Sequence, residues 1–149
     1  MHENEGYPET IAEVLDENMT FNPSALRAVK AFAESKPWRG TVDERREKFR
    51  QVNAALSAAY GISTPALGFA DSSDGDSGSS FYRPSAHAIT LTGLSVVTLL
   101  HEFCHARKMG ERSATRWSTN MFRRVWPRSF ARCVQDGHML RRRNDPSGR

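Results

Sequence analysis

The chain has 149 residues, of which 38% are hydrophobic and 26% charged, and its formal net charge is +4. This length suits one domain with a substantial core, and the apolar runs are far too short for a membrane span. Two cysteines are too few for a disulfide framework. The opening run MHENEGYPET lacks the apolar segment of a secretory signal, so we expect a cytoplasmic protein with free thiols.

The charges are unevenly distributed along the chain. Residues 1–20 contain six acidic residues and no lysine or arginine, whereas residues 107–149 contain twelve basic residues and three acidic ones. We therefore predict an acidic, weakly ordered N-terminal tail (1–20), one domain (21–140) and a basic, disordered tail (141–149). The basic third is either a solvated surface or a binding surface for an acidic partner such as DNA.

Two scaffold helices are predicted after the acidic segment. Asn22 followed by Pro23 is a typical helix start, and apolar residues then recur at helical spacing. Thr41 and Glu44 have the spacing of a capping box, which begins a second helix, and Gly61 is a typical helix stop. Neither helix carries residues that indicate chemistry.

The middle of the chain predicts short strands. Residues 62–70, 81–83 and 88–91 have strand-like composition, and Pro84 favours an edge strand or a bulge. The run DSSDGDSGSS at 71–80 contains no apolar residue and predicts a mobile surface loop, because its aspartates do not fit the spacing of a calcium-binding EF-hand. We expect a short, mostly antiparallel sheet, and hence an α+β fold.

The most apolar helix is predicted at residues 94–109, with Ser95 as its N-cap. Gly110 ends this helix, and a second helical pattern runs from residue 111 to about residue 124. Pro127 ends that pattern, and a last short helix is expected around Phe130 and Val134. The first of these three helices should be deeply buried.

His101, Glu102 and His105 form an H-E-x-x-H motif within the most apolar helix. Residues four apart lie about 40° apart around a helix, so both imidazoles can reach one metal ion. Glu102 is offset by about 100°, which places it beside the metal as a candidate general base for water. Burial of three unpartnered polar groups would be costly, so a zinc ion is the expected compensation.

A catalytic zinc ion requires a third protein ligand and an open coordination position. Glu111 is the first choice, because Gly110 lets the chain turn back towards the metal. Its alternative role is that of a first-turn carboxylate that complements the dipole of the next helix. His138 and Asp136 are the other downstream candidates, and His87 and the loop aspartates lie upstream.

The remaining residues of this kind predict no chemistry. Cys104 points away from His105 and is expected to be a small core residue, and Cys133 is expected to be inert. His87 precedes the strand at 88–91, where it can contact substrate but more simply lies on the surface.

Two short runs carry a family resemblance. HEFCH resembles the active-site helix of the zincin metallopeptidases, and ERSATRWSTNMF resembles the second signature of the ImmA/IrrE-type zinc peptidases. In that signature a glutamate precedes a small residue and an aromatic one, here Glu111, Ala114 and Trp117. The likeness spans about residues 86–122. A weaker resemblance, to SprT-like proteases, rests on the basic C-terminal region.

The resemblance implies a minimal zincin-like domain with a specific division of roles. His101, His105 and Glu111 would bind zinc, and Glu102 would activate water. Metzincins also place their third ligand six residues after the second histidine, but they have a glycine where this chain has Lys108.

We therefore expect a zinc-dependent metallopeptidase that acts on a protein or peptide, which can lie as an added strand near residues 81–91. The alternative is a nucleic-acid-binding module, or a DNA-associated protease, in which zinc is structural or absent. In that case the residues that contact phosphates and stack on bases would be Arg112, Arg116, Arg123, Arg124, Trp117 and Trp126.

Overall fold

A computed structural model describes residues 7–8, 10–70, 80–136 and 139–142. The aspartate-rich run at 71–79, residues 137–138 and most of the predicted basic tail lie outside this part of the chain. The described elements are a short 3-10 helix (Ile11–Val14), α1 (Pro23–Glu34), α2 (Val42–Tyr60), β1 (Ala66–Phe69), β2 (Phe81–Arg83), β3 (Ala88–Leu91), α3 (Val96–Ala106), α4 (Glu111–Val125), α5 (Pro127–Ala131), β4 (Cys133–Asp136) and β5 (Met139–Arg142).

The two scaffold helices begin and end as the sequence predicts. The Asn22 side chain accepts hydrogen bonds from two backbone N–H groups of the first turn of α1. Thr41 and Glu44 form the reciprocal capping box at the start of α2. Gly61 adopts the left-handed conformation, with φ of 67°, directly after α2. The boundaries of both helices therefore follow from capping residues that are close to one another along the chain.

The central sheet is mixed, which corrects the expectation of a mostly antiparallel sheet. Its strand order is β1-β3-β2, with β1 parallel and β2 antiparallel to β3. A tight turn joins β2 to β3 and makes that pair antiparallel. The chain between β1 and β3 is long enough for a crossover, which a parallel pair requires. β1 is also shorter than the predicted strand at 62–70.

α3 lies at the centre of the core and packs against α4 and β3. Leu99, Leu100, Phe103 and Cys104 are each completely buried. The helix ends at Ala106, three residues before the predicted end, and the next residues form a turn. No helix in the described ranges has both the length and the apolar composition that a bilayer crossing requires.

Residues 10–19, called here the N-terminal strap, pack against α4. Ile11 and Val14 are 1% and 4% exposed. The buried side chain of Asn120 on α4 accepts from the backbone N–H of Asp16 and donates to the carbonyl of Val14. Within the segment predicted as an acidic tail, the strap thus buries two apolar residues, Ile11 and Val14.

The C-terminal end of the domain also differs from the prediction. The last helix is only the five-residue α5, and β4 and β5 then form an antiparallel hairpin. Val134 lies in a strand rather than in a helix. The described elements run from the 3-10 helix that begins at Ile11 to β5, which ends at Arg142. The fold class, α+β, is confirmed.

Candidate metal centre

The two histidines of the motif lie one turn apart on the same face of α3. Their Nε2 atoms are 3.2 Å apart, and the ring centroids are 4.9 Å apart. Both side chains are about one-fifth exposed, so they lie at the edge of the core and open towards solvent. The i, i+4 spacing in the sequence therefore produces the predicted pair of converging nitrogens.

Glu111 completes the site from the first residue of α4. Its Oε1 lies 3.0 Å from Nε2 of His101, and its Oε2 lies 3.1 Å from Nε2 of His105. The donor atoms of these three residues all lie within 4.8 Å of one another. No other group of three such side chains in the described part of the chain meets this condition.

The turn between the two helices brings Glu111 back to the histidines. The backbone N–H of Met109 donates to the carbonyl of Cys104, and that of Lys108 donates to the carbonyl of His105. These two bonds are those of a Schellman motif, which reverses the chain at the end of α3. Lys108 occupies its left-handed position, with φ of 72°, where a glycine is usual.

The ring of His105 is oriented by the same turn. Its Nδ1 lies 2.8 Å from the carbonyl oxygen of Met109. A carbonyl can only accept, so Nδ1 carries the proton and Nε2 presents its lone pair towards His101 and Glu111. This bond selects the tautomer that a metal ligand needs. The donor set, two imidazoles and a carboxylate, fits a zinc ion with an open coordination position.

Glu102 lies beside this cluster with only 9% of its surface exposed. The pKa of Glu102 is raised to about 7, mainly by burial and also by the nearby carboxylate of Glu111, whereas His105 and the backbone N–H of Tyr82 act in the opposite direction. A carboxylate with a pKa near neutrality is suited to accept and return a proton at physiological pH.

The cluster forms one wall of an open cleft of about 520 Å³. Phe81 and Tyr82 on β2 line the opposite wall, and β2 lies at an edge of the sheet. Lys108 and Met109, from the turn after α3, also line the cleft. The site therefore lies in a groove beside an exposed strand, with its polar groups at the base.

Tyr7 is a residue of this cleft that the sequence reasoning missed. It lines the groove together with Glu102 and Glu111. Burial and the charges of Glu111 and Glu102 raise the pKa of Tyr7, which keeps the phenol protonated. Residues 1–20 were expected to be a weakly ordered acidic tail, so Tyr7 was not a candidate site residue. The available signal was the pair of apolar residues, Ile11 and Val14, directly after it.

His87, Cys104 and Cys133 lie outside the cluster. His87 has both ring nitrogens engaged, one with the Tyr82 hydroxyl at 2.8 Å and one with the carbonyl of Ser63 at 2.7 Å. Cys104 and Cys133 are free thiols, buried and half-buried respectively. His138 lies outside the described residues. Asp136 is placed in β4, but the structure does not describe its side chain.

The arginines of the nucleic-acid alternative are engaged by the strap. Arg112, Arg116 and Arg123 pair with Glu13, Asp16 and Glu17 at 3.1, 2.7 and 3.2 Å. Arg124 donates to the carbonyl of Met19, as one further contact of the same face.

The two tryptophans of that alternative lie in the core. Trp117 is 5% and Trp126 is 8% exposed. Stacking on bases requires exposed rings, so these two side chains do not offer the necessary surface. The two tryptophans therefore offer no exposed ring face, and three of the four arginines pair with acidic side chains of the strap.

Comparison of the chain with protein-family models, with curated sequences and with solved structures gave no match.

Proposed function

We propose that this protein is a zinc-dependent metallopeptidase. The observation that carries the proposal is the convergence of His101, His105 and Glu111 beside the buried carboxylate of Glu102, in a cleft open to solvent. A structural zinc site is usually closed by four ligands and rich in cysteine, whereas this donor set leaves a position for substrate. The resemblance to zincins, and to ImmA/IrrE-type peptidases in particular, supports the same assignment.

The residues of the site divide the chemistry among them. A zinc ion supplies Lewis-acid polarisation of a peptide carbonyl and lowers the pKa of water. His101, His105 and Glu111 hold the ion, and the bond from His105 to Met109 keeps that ring in the binding tautomer. Glu102 accepts the proton of the attacking water and returns it to the leaving amine.

The substrate in this proposal is an extended peptide. β2 is an edge strand, and its residues Phe81 and Tyr82 line the cleft next to the catalytic groups. A peptide added to such an edge forms main-chain hydrogen bonds, while its side chains alternate between the cleft and solvent. This placement would bring a scissile bond beside Glu102, which lines the same cleft.

The first experiment measures zinc in the purified protein. We expect about one zinc ion per chain, and we expect the double variant with His101→Ala and His105→Ala to contain none. His87→Ala is the matched control, because both nitrogens of His87 bond elsewhere. Full zinc content in the double variant would show that the metal binds at another place.

The second experiment separates the base from the ligands. Glu102→Gln should retain zinc and the fold but lower peptide hydrolysis by about 10²–10⁴-fold, the usual contribution of a general base. Hydrolysis of a quenched-fluorescent peptide library, beside zinc content, measures both properties. Undiminished hydrolysis would exclude Glu102 as the base, and loss of zinc would make it a ligand.

The third experiment tests the third ligand. Glu111→Gln should give a folded protein that loses zinc under mild chelation, because a lost ligand weakens binding by more than the 10–100-fold of outer contacts. A glutamate that only complements the helix dipole contributes about 0.3–1 kcal/mol and leaves zinc in place. Asp136→Asn and His138→Ala are the comparison variants, and loss of zinc in either of these instead would reassign the third ligand.

A further inference from the structure

A second cavity, of about 480 Å³, lies on the other side of the turn that follows α3. Its walls include Tyr60 at the end of α2, His87 directly before β3, and Arg107 and Lys108 directly after α3. None of the described residues that line it is acidic. We call it the basic cavity, because its lining carries two cations and no carboxylate.

The basic cavity adjoins the metal cleft through shared and bonded residues. Lys108 lines both spaces. The hydroxyl of Tyr82, in the cleft, lies 2.8 Å from Nδ1 of His87, in the basic cavity. Arg107 donates to the sulfur of Met109, which lines the cleft, at 3.5 Å. A substrate that fills the cleft therefore has the basic cavity as its immediate neighbour.

The basic cavity lies towards one end of the edge strand β2. Arg83, the last residue of β2, pairs with Ala88, the first residue of β3, and His87 directly precedes Ala88. A peptide added along β2 therefore extends from the metal cleft towards this cavity. Because Lys108 borders both spaces and an extended chain advances about 3.3 Å per residue, the peptide residue that enters it lies within about three residues of the scissile bond.

The guanidinium of Arg107 is held in a defined position by an aromatic ring. Its central carbon lies 3.6 Å from the centroid of the Tyr60 ring. That ring contacts Phe103 and Trp117 of the core, with centroids 6.1 and 6.3 Å away. A guanidinium stacked on a ring face keeps the N–H groups of its edge available for a carboxylate. Arg107 is therefore oriented by packing before any ligand binds.

Neither cation of the basic cavity has an acidic partner. In the part of the chain that the structure describes, no carboxylate forms an ion pair with Arg107 or Lys108, whereas three arginines of α4 pair with the strap. His87 is engaged on both ring nitrogens, by Tyr82 and by the carbonyl of Ser63. The two charges are thus available for an anionic group that comes from outside the chain.

We propose that the basic cavity is a substrate subsite, in which Arg107 and Lys108 bind a carboxylate of the peptide. This inference rests on the proposed function, because it names the class of peptide that the metal cleft would cleave. Arginine binds a carboxylate through two parallel hydrogen bonds, and lysine adds a point charge. The carboxylate belongs either to an acidic side chain or to the C-terminus of the peptide, and the experiment distinguishes these sources.

The test compares kcat/KM for matched quenched-fluorescent peptides, hydrolysed by the zinc-loaded protein and mapped by mass spectrometry. Acetylated and amidated peptides carry Glu or Gln at one of the three positions on each side of the scissile bond. We expect Glu to raise kcat/KM by about 5–10-fold at one of these positions. A parallel set without acidic side chains ends in a free carboxylate or an amide. A gain confined to the free carboxylate would identify the C-terminus as the source.

Variants of the two cations show whether they produce the preference. Arg107→Gln removes one charge, and Lys108→Gly removes the other while it keeps the turn, because glycine readily adopts a φ of 72°. Each should lower the preference for the carboxylate to about 2-fold or less. Lys36→Gly is the matched control, since Lys36 has the same left-handed conformation but lines neither cavity, and the preference should be unchanged.

A charge reversal gives the strictest form of the test. Arg107→Glu should favour a peptide with Lys over one with Glu at the position identified above, because the new carboxylate repels the old ligand. A variant that merely disturbed the packing on Tyr60 would lower all rates without reversing the order of the peptides.

The outcomes separate this inference from the proposed function. Equal kcat/KM for every matched pair would overturn the inference but not the proposed function, since the peptides are still cleaved. A preference that persists in both Arg107→Gln and Lys108→Gly would also overturn it, because the carboxylate then binds elsewhere. If no peptide of either set is cleaved although zinc binds at His101 and His105, both proposals fail together.

Discussion

At the residue scale, the role open to a side chain depends on the contacts that its own atoms make. His101 and His105 can face one point because of their spacing, but the bond from Nδ1 of His105 to Met109 determines which nitrogen is available. The burial of Glu102 has a similar effect, since it moves the pKa towards neutrality. The surroundings therefore suit His105 to bind a metal ion and Glu102 to exchange a proton near neutral pH.

The two cysteines should differ sharply in reactivity. Cys104 is completely buried, and burial raises the pKa of its thiol far above the ordinary value. Cys133 is half-buried, with its thiol 3.3 Å from the carbonyl of Ser129. Because the thiolate is the reactive form, iodoacetamide should modify only Cys133 in the native protein. Mass spectrometry after alkylation checks this, and rapid native labelling of Cys104 would contradict its placement in the core.

At the element scale, the turns after α1 and α3 share an unusual feature. Lys36 and Lys108 both adopt left-handed conformations, with φ of 56° and 72°, directly after the helix ends. Glycine is preferred at this position because other residues there suffer a steric penalty. In the turn after α3, the steric penalty falls on Lys108, which connects the helix of His101 and His105 to the helix that begins with Glu111.

Replacement of either lysine by glycine should therefore stabilise the fold. The relief of about 1–2 kcal/mol in the left-handed conformation is partly offset by the greater freedom of glycine in the unfolded chain. We expect Lys108→Gly and Lys36→Gly each to raise the free energy of unfolding by about 0.5–1 kcal/mol. Urea denaturation measures both changes, and a loss of stability in either variant would contradict the assigned turn geometry.

The strap should loosen as the solution is acidified. A hydrogen bond from the backbone of Asn18, and then the bond from Arg116, lower the pKa of Asp16 from its ordinary value of 3.8. A group whose pKa is lower in the folded state contributes stability above the unfolded pKa, and that contribution is lost as the pH falls through the folded value.

The control for the acid effect is Asp16→Asn. This variant should be less stable than the unmodified protein at pH 6, and the difference should diminish as the pH falls below the ordinary value of 3.8. Chemical denaturation at a series of pH values measures this difference in the free energy of unfolding. A difference that stays constant over this range would show that the charge of Asp16 is not responsible.

At the scale of the whole molecule, the core does not depend on the metal centre. The apolar core is formed by all four longer helices and β3, and the candidate ligands lie at its edge. Zinc should therefore bind to a folded protein and stabilise it by mass action. This differs from small zinc domains that fold only with their metal.

Thermal unfolding should then depend on free zinc. At 100 times the dissociation constant the stabilisation is about 2.7 kcal/mol, which raises the Tm of a domain of this size by about 5–10 °C. Far-UV circular dichroism should show a folded protein after chelation. The double histidine variant is the control, and an equal Tm increase in that variant would place the stabilising zinc site elsewhere.

The sequence by itself determined the features that depend on neighbours along the chain. The Asn22 and Thr41 caps, the stop at Gly61 and the facing pair His101 and His105 follow from spacing within one or two turns of a helix. Its short distance from His105 along the chain made Glu111 the first choice for the third ligand, but Lys108, in the left-handed conformation, makes the turn that was expected of Gly110, whose φ is -79°.

Only the tertiary structure determined the contacts between segments that are far apart along the chain. The strap joins α4 across about a hundred residues of sequence, and this contact pairs Arg112, Arg116 and Arg123 of the predicted basic surface with acidic side chains. The crossover that makes β1 parallel to β3 is equally non-local. The composition identified an acidic segment and a basic segment. Charge alone does not determine which residue of one segment pairs with which residue of the other. Their docking depends on two buried apolar residues and one buried amide, whose partners lie far away along the chain.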